Sequence, residues 1–437
     1  MNELSNRKGN FQALLPLLFF VLTFLGVGIY LDDFYALPSP IAVILGIVLA
    51  FVMFTDSIQT KVATLLKGCG DEKIITMCLI YLLAGAFTVI CKATGSVDAI
   101  VNLGLNYISL DYLYIGVFII AGFLSISTGT SVGAIVALGP IVISFADRSG
   151  ASLGVLSASL LGGSMFGDNL SIISDTTIAA TQSLEVKMKD KFKQNILVAL
   201  PAALITIAIL FFQGSLINDT AEIDQNYSFD LIKIIPYLLV IILAVAGLNV
   251  FTVLFIGIIA AGVIGLAYGD FGLLEFAKLS YEGFTEMTEI FLLSMLTGGL
   301  AALVTQAGGL RYIIDIISKK INNRTAYFGV AGLVSLTNSA IANNTVSIII
   351  TGPIAKDLSD KFRLSRIKVA SVLDIFACII QGALPYGAQV LLILSYAEGK
   401  IDYFDLVSNA WYLMLLLIGT LVYIQFSNKK IDIREVV

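Results

Sequence analysis

A polar interruption breaks an apolar segment that runs from about Ala151 to Thr181, and it reads Gly162-Gly163-Ser164-Met165-Phe166-Gly167-Asp168-Asn169-Leu170-Ser171-Ile172-Ile173-Ser174-Asp175-Thr176-Thr177. Carboxylates, glycines and a run of hydroxyl and amide side chains stand where a membrane helix would otherwise continue. Such groups are costly in hydrocarbon, so they should face a polar cavity or protein partners. The stretch is typical of a broken helix that binds a cation.

The composition is that of a membrane protein. The chain has 437 residues, of which 58% are hydrophobic and 13% are charged, and its mean hydropathy is +0.94. A soluble domain carries roughly 25% charged residues. Because apolar runs of about 20 residues recur, we predict an all-α polytopic membrane protein. The first run lacks a small-residue cleavage site after it, so we expect a permanent span.

Several function classes are excluded. The sequence has no histidine, so a histidine proton relay and a His-ligated metal or haem are ruled out. It has no Walker loop, so nothing indicates ATP hydrolysis. The four cysteines have no paired metal spacing and are predicted to be small membrane-core residues: Cys69, Cys78, Cys91 and Cys378. We expect neither an enzyme nor a nucleic-acid partner, and no cofactor.

Hydropathy predicts ten full spans and two shorter hairpins. The spans are roughly 12–31, 39–55, 74–92, 151–182, 196–213, 231–247, 249–268, 289–306, 369–397 and 409–426. The hairpins, 112–146 and 325–357, each have two apolar arms of about 14 residues around a polar tip. At 1.5 Å per residue an arm reaches only about 21 Å, short of a 30 Å hydrocarbon core, so we expect both hairpins to be re-entrant.

The distribution of basic residues supports this layout. With a cytoplasmic N-terminus, 21 of the 26 Lys and Arg fall on the cytoplasmic side, in 1–11, 56–73, 183–195, 307–324, 356–368 and 427–437. Segment 183–195 alone contributes Lys187, Lys189, Lys191 and Lys193. The other side receives Asp32, Asp33, Asp219, Glu222, Asp224 and Asp230. This matches the positive-inside rule and predicts that both chain ends are cytoplasmic.

An internal repeat follows from a shift of 213 residues, which carries spans of the first half onto spans of the second and one hairpin onto the other. Gly139-Pro140 then falls on Gly352-Pro353. We further expect a loop seven residues longer in the second half, so that Gly162 and Gly167 fall on Gly382 and Gly387. Since the side assignment gives the halves opposite orientations, we predict an inverted repeat with the substrate site at the midplane.

Four polar elements should converge at that site. They are the tip Ser125–Gly133, the break Phe166-Gly167-Asp168-Asn169, the tip Asn338–Thr345 and the break Gly382–Gln389. Hydroxyls, amide oxygens and freed backbone carbonyls are hard ligands suited to Na⁺. Helix N-termini at the tips could instead hold an anion, and each tip could simply be a turn whose polar side chains cap helix ends.

Acidic residues distinguish the two halves. Asp168 and Asp175 are seven residues apart, so on one helix they would face the same way. Their counterparts in the repeat are predicted to be Ala388 and Ser395, which places the charge chemistry in the first half. A carboxylate that binds either a cation or a proton is the simplest device for exchange, although either Asp could merely tie down the broken backbone. Asp374 is a weaker candidate that could be structural or pair with a nearby base.

These residues carry a resemblance. Thr128-Gly129-Thr130-Ser131, followed by Phe166-Gly167-Asp168 and Ser171 to Thr177, resembles the NhaC family of sodium/proton antiporters, within the ion-transporter superfamily. Asn343-Asn344-Thr345 resembles the hairpin-tip motif of sodium-coupled carboxylate carriers in that superfamily. Val132 and Ile172 stand where the family often has Trp and Pro. The resemblance implies a scaffold, a mobile transport domain, a homodimer and elevator-type movement.

Residues 1–111 and 214–306 are therefore assigned to scaffold helices, and 112–213 and 307–437 to the transport region. The predicted Na⁺ ligands are Thr130, Ser131, Asp168, Asn169, Asn343, Asn344 and Thr345. The wider ion- or substrate-binding set adds Thr128, Gly129, Ser171, Asp175, Thr176, Pro385, Tyr386 and Gln389. We predict a lipid-embedded Na⁺/H⁺ antiporter of the inner membrane. The alternative is a Na⁺- or H⁺-coupled carrier of an amino acid or small carboxylate; a channel fits least.

Overall fold

The computed structural model describes residues 8–31, 37–107, 109–172, 174–216, 228–322 and 325–434, and every regular element in these ranges is a helix. Eight of the described helical segments are long and apolar enough to cross a membrane. Both chain ends lie outside the described residues, as do some of the charges used in the topology argument: Arg7, Asp32, Asp33, Asp219, Glu222, Asp224 and Arg324.

The described residues of the first half form ten α-helices. They are α1 (Leu15–Leu31), α2 (Ser39–Met53), α3 (Ile58–Cys69), α4 (Glu72–Ala93), α5 (Ser96–Tyr107), α6 (Leu113–Thr128), α7 (Ser131–Ser149), α8 (Leu153–Leu170), α9 (Asp175–Leu184) and α10 (Met188–Gly214). The predicted span 151–182 is indeed two helices, α8 and α9, because the polar stretch after Leu170 leaves the helical path.

In the second half, the part of the chain that the structure describes forms eleven α-helices. They are α11 (Leu231–Val245), α12 (Val250–Tyr268), α13 (Leu273–Glu286), α14 (Thr288–Gln306), α15 (Gly309–Lys320), α16 (Ala326–Ile341), α17 (Asn344–Lys361), α18 (Arg366–Ala383), α19 (Ala388–Ala397), α20 (Tyr403–Ser408) and α21 (Trp411–Arg434). The predicted span 369–397 is likewise broken, between α18 and α19.

Apart from the six-residue α20, four helices occupy stretches that hydropathy left unassigned, namely α3, α5, α13 and α15. Each is short and has one apolar face, so its average hydropathy is too low to mark a membrane span. Helix α3 packs against α14 and helix α13 against α4. These helices therefore complete the packing around two spans.

The hairpin arms are longer than the sequence predicted. Helices α6 and α7 have 16 and 19 residues, and α16 and α17 have 16 and 18. An arm thus reaches roughly 24 to 28 Å. Each tip turns through one left-handed residue, Gly129 (φ 72°) or Ala342 (φ 56°). Both arms of the first hairpin also have the length and apolarity of a full span, so re-entry stays a prediction.

Helix bounds recur at a constant separation in the two halves. The first residues of α5 to α9 are Ser96, Leu113, Ser131, Leu153 and Asp175, and those of α15 to α19 are Gly309, Ala326, Asn344, Arg366 and Ala388, each 213 positions later. The predicted loop seven residues longer is therefore wrong. Asp168 corresponds to Gln381 rather than Ala388, and Asp175 corresponds to Ala388 rather than Ser395.

Hydrogen bonds between each hairpin and its broken helix recur at the same separation. Ser125 Oγ donates to Ser164 O at 2.7 Å, and Asn338 Nδ2 donates to Ala377 O at 2.8 Å. The Ser152 amide likewise donates to the Tyr114 hydroxyl at 2.9 Å, and the Ser365 amide donates to the Tyr327 hydroxyl at 3.2 Å. Each hairpin is thus attached to its broken helix at both ends of its first arm.

Glycines bring α6 and α8 into backbone contact. A Cβ atom on Gly163 would lie 2.2 Å from Phe118 O, and one on Gly167 would lie 2.4 Å from Gly122 O. Small residues at helix interfaces in membranes allow such close approach. The contact matters for the site because Asp168 directly follows Gly167 and is held against the first hairpin.

Candidate functional site

Asp168 lies in the last turn of α8, immediately before the break. Its side chain is 4% exposed. The Ser174 hydroxyl donates to Oδ1 at 2.5 Å, and the Ser131 hydroxyl donates to Oδ2 at 3.2 Å. Ser174 is the N-cap residue of α9, and Ser131 is the residue of the first tip at which α7 begins. The break and the tip therefore converge on one carboxylate.

The partners of this carboxylate are neutral. Cys378 Sγ lies 3.9 Å from Oδ2 as a weak third donor. Within the described ranges, no Lys or Arg nitrogen comes within ion-pair distance of Asp168. A buried carboxylate without a fixed positive partner favours binding a cation or a proton.

The second break approaches the same place through two glutamines. Gln381 Nε2 donates to Ala342 O at 3.3 Å and to Gln389 Oε1 at 3.2 Å. Gln389 Nε2 donates to the Ser131 hydroxyl at 3.0 Å. A continuous chain of hydrogen bonds, buried except for the partly buried last one, therefore runs from Asp168 in one half to the tip at Ala342 in the other. The structure brings the four predicted elements together, with Gln381 as a member that the sequence analysis missed.

A buried ion pair lies beside this chain. Lys191 Nζ is 2.6 Å from Asp374 Oδ2, and the two side chains are 1% and 0% exposed. Asn195 Nδ2 donates to Asp374 Oδ2 at 2.7 Å and to the Asn169 carbonyl at 2.8 Å. Asp374 thus pairs with a nearby base, as one of the two interpretations of its role expected.

The position of Lys191 corrects the sequence analysis, which placed it in a cytoplasmic loop. Helix α10 begins at Met188, eight residues before the predicted span, and turns Lys191 inward. A signal was present in the sequence, because Lys191, Asn195, Val198, Ala199 and Ala202 follow helical spacing on one buried face. The buried face of α10 therefore extends beyond the apolar residues of the span to Asn195 and Lys191.

Asp175 lies apart from the cluster. Its side chain is 75% exposed, and its carboxylate forms a 3.8 Å ion pair with Lys73. The expectation that Asp168 and Asp175 face the same way is wrong, because the helix breaks between them and α9 starts in a new direction. The two acids consequently have different surroundings.

Several predicted ligands act as helix caps. Thr130 Oγ1 accepts from the Gly133 amide at 3.4 Å, and Asn343 Oδ1 accepts from the Val346 amide at 3.0 Å. Asn344 Oδ1 accepts from the Thr345 amide at 2.9 Å. These contacts match the interpretation of the tips as capped turns. A carbonyl oxygen has two lone pairs, so capping leaves each amide able to accept once more.

The remaining candidates surround the two breaks. Asn169 Nδ2 donates to the Tyr412 hydroxyl at 3.3 Å, and its Oδ1 is buried with no hydrogen-bond partner in the described part of the chain. The Ser171 hydroxyl donates to Ile126 O at 2.9 Å, and Thr176 shares a 2.8 Å bond with Ser174. The Tyr386 hydroxyl donates to Ser339 O at 2.6 Å.

Four further candidates have simpler surroundings. The Thr128 hydroxyl bonds to the backbone of Thr130, and Gly129 supplies the left-handed turn between them. Thr345 is buried in the first turn of α17, and Pro385 is buried in the second break. Thr128 and Gly129 thus shape the first tip, and neither has a contact with the Asp168 carboxylate among those described.

Two cavities open on the face that carries Arg148. One has a volume of about 620 Å³ and is lined by charged residues that include Lys92, Asp98, Asp147, Arg148, Glu286, Glu398 and Lys400. The other has a volume of about 230 Å³ and is lined by Pro385 and by four acids, Glu286, Glu289, Glu398 and Asp402. Across both cavities acidic residues outnumber basic ones, which favours the entry of cations.

Known proteins similar to this chain include three whose names specify an antiporter. One from Bacillus subtilis (strain 168), named "Malate-2H(+)/Na(+)-lactate antiporter", is 25% identical over 85% of this chain and 87% of that protein. Another from the same strain, named "Na(+)/H(+) antiporter NhaC", is 23% identical over 73% of this chain and 77% of that protein. A third from Halobacterium salinarum (strain ATCC 700922 / JCM 11081 / NRC-1), named "Arginine/ornithine antiporter ArcD", is 23% identical over 86% of this chain and 84% of that protein.

The sequence model of the Na⁺/H⁺ antiporter family matches residues 15–215 and 226–427. Together these stretches include both hairpins, both breaks and the helices around them. The resemblance to the NhaC family is thereby confirmed. With its apolar helices, the chain is a multi-pass membrane protein. The chain belongs to the Na⁺/H⁺ antiporter family, and it is therefore a secondary antiporter and not an enzyme.

Proposed function

We propose that the protein exchanges Na⁺ for H⁺ at Asp168. The observation that carries this proposal is the carboxylate itself, which is 4% exposed, stands at a helix break and is hydrogen-bonded by hydroxyls rather than by a base. A proton and a Na⁺ ion can each neutralise it, but both cannot bind its oxygens at once. Competition between them at one site is sufficient for exchange.

The surroundings of Asp168 suit a hard cation. Ser131 and Ser174 hold hydroxyl oxygens against the carboxylate, and these can rotate to present lone pairs to Na⁺. Asn169 Oδ1 is a buried oxygen without a partner among the described residues. Carbonyls freed at the break between α8 and α9 add further hard ligands. We place Na⁺ among these groups.

The second tip completes the site in this proposal. Asn343, Asn344 and Thr345 supply neutral oxygens, and the chain of Gln381, Gln389 and Ser131 connects the tip to Asp168. Because both amide oxygens already accept a backbone N–H, we expect their contribution to Na⁺ affinity to be smaller than that of the acid. Asp175 is omitted, since it is exposed and paired with Lys73.

We further propose an inverted repeat in which 1–111 and 214–306 form the scaffold, while 112–213 and 307–437 form the transport region. The constant separation of helix starts supports the repeat. Reciprocal packing supports a two-fold relation, because α3 packs on α14 while the corresponding α13 packs on α4. Elevator-type movement of the transport region, a homodimer in the inner membrane and cytoplasmic chain ends complete the proposal.

Exchange of an organic solute is the second candidate. The relatives whose names specify malate with lactate, and arginine with ornithine, are about as similar to this chain as the NhaC protein is. The cavity of about 620 Å³ is also far larger than one Na⁺ requires. Against this candidate, the buried base near the breaks, Lys191, is already paired with Asp374 and offers no free charge to a carboxylate solute.

Transport by purified protein in liposomes separates the two candidates. A pH dye inside the vesicles should report alkalinisation when Na⁺ is added outside without any organic solute, because entering Na⁺ drives protons out. Malate, lactate, arginine and ornithine are then added singly. A pH change that appears only when one of these solutes is present would replace Na⁺/H⁺ exchange with the solute carrier.

A further inference from the structure

Few charged side chains are buried in the part of the protein that the structure describes. Among the described residues, four charged side chains are less than a tenth exposed: Lys61, Asp168, Lys191 and Asp374. Lys61 lies on α3 and donates to Phe51 O, far along the chain from the two breaks. The other three belong to the region around Asp168. Together, two carboxylates and one ammonium group carry a net charge of one negative unit.

The ion pair of Lys191 and Asp374 is connected to the backbone on both sides of the first break. Asn195 bonds to Asp374 and also to the carbonyl of Asn169, the residue after Asp168. The Ser371 hydroxyl holds Asn195 by donating to its Oδ1 at 2.6 Å. Lys191 Nζ donates to Thr177 Oγ1 at 2.6 Å, and Thr177 donates to Ser171 O at 2.8 Å. The pair is therefore fixed relative to Asp168.

We propose that Lys191 sets the charge of the cation site. By neutralising Asp374, it leaves Asp168 as the single uncompensated charge, so the region binds one Na⁺ or one H⁺ and each cycle moves no net charge. This inference rests on the proposed function of Asp168. It adds two things, an electroneutral one-for-one exchange and a positioning residue outside the ion's own ligands.

The physical reason is the cost of charge in a low-dielectric interior. An uncompensated charge that crosses hydrocarbon is expensive, whereas a neutral loaded site is not. With Lys191 in place, one monovalent cation at Asp168 makes the three side chains neutral. If Lys191 lost its partner, its charge would be free to compensate Asp168 and would compete with Na⁺. Whether Lys191 is paired with Asp374 should therefore control the Na⁺ affinity of Asp168, although Lys191 itself is not a Na⁺ ligand.

The wild-type protein provides the first test. Liposomes carrying K⁺ and valinomycin impose a membrane potential of either sign while a pH dye reports Na⁺-driven proton movement. We expect the same initial rate at both potentials, and no flux when the Na⁺ ratio across the membrane equals the H⁺ ratio. Exchange that continues at equal ratios under an imposed potential would overturn the proposal, because net charge would then move.

Two variants provide the second test. Asp374→Asn leaves Lys191 unpaired, and we expect the half-saturating Na⁺ concentration to rise at least tenfold. Lys191→Gln combined with Asp374→Asn removes both charges and should restore that concentration to within about threefold of wild type. If the ion pair were merely structural, the single and the double variant would be equally impaired, because both lose the pair. Equal impairment, or an unchanged Asp374→Asn, would overturn the proposal.

Asp168→Asn in the same liposomes separates this inference from the proposed function. Wild-type Na⁺ dependence in Asp168→Asn would remove the proposed function and the inference with it. Loss of Na⁺ dependence in Asp168→Asn, without rescue in the double variant, would remove the inference alone. If Asp374→Asn does not fold, the wild-type measurement under imposed potential still decides, since it needs no variant.

Discussion

Replacing Asp168 with Asn changes the charge of the site and little else. The side-chain carbonyl of Asn can accept from the Ser174 hydroxyl as Oδ1 does now, at 2.5 Å. The new amide faces Ser131, which at present donates to Oδ2 at 3.2 Å while accepting from Gln389 at 3.0 Å. The Ser131 oxygen has a second lone pair for the amide, so the packing can persist. We therefore expect a folded protein.

The effect on Na⁺ binding follows from the lost charge. Two unit charges about 4 Å apart interact by about 4 kcal/mol at an effective dielectric constant of about 20. Since about 1.4 kcal/mol corresponds to a tenfold change in affinity, the half-saturating Na⁺ concentration should rise roughly a thousandfold. Proton exchange should be lost together with Na⁺ dependence, because the amide does not titrate.

The measurement is Na⁺-driven pH change in liposomes over a wide range of Na⁺ concentrations. Asp175→Asn is the matched control, because it removes the same group seven positions along the chain at a site that is 75% exposed and paired only at 3.8 Å. We expect the half-saturating Na⁺ concentration of Asp175→Asn to stay within about threefold of the wild-type value. If the half-saturating Na⁺ concentration of correctly folded Asp168→Asn stayed within tenfold of the wild-type value, the Asp168 charge would not be what binds Na⁺.

The other predictions concern the second tip, helix packing and topology. Asn344→Ala should raise the half-saturating Na⁺ concentration less than Asp168→Asn does, because it removes a neutral oxygen; no change at all would confine the site to the first half. Gly167→Ala should destabilise the protein by about 1–3 kcal/mol in thermal melting, since its Cβ would lie 2.4 Å from a carbonyl. Gly116→Ala, whose Cβ meets nothing within 4 Å, is its control and should not lower the melting temperature. Single cysteines beside Arg148 and Lys361 should be labelled from outside and inside respectively, and labelling of both from one side would contradict the inverted arrangement.

The class of the protein and most of its helices can be predicted from the amino-acid sequence alone. Apolar runs reveal membrane helices because the hydrocarbon core admits few other residues. Polar residues inside such runs reveal the breaks for the same reason, and hence Asp168. A second run of similar helices at a separation of 213 residues was also visible. Each of these features is a pattern along the chain and requires no knowledge of contacts in the folded protein.

The individual side chains that share the site are visible only in the folded protein. Gln381 corresponds to Asp168, although the glycine pattern had matched a different residue, because helix starts rather than sequence identities define the correspondence. Asp168 is buried while Asp175 is exposed, since the chain changes direction between them. Lys191 pairs with Asp374 across 183 positions of sequence, at 2.6 Å. Contacts of this kind join residues far apart in the chain, and local hydropathy carries no information about such distances.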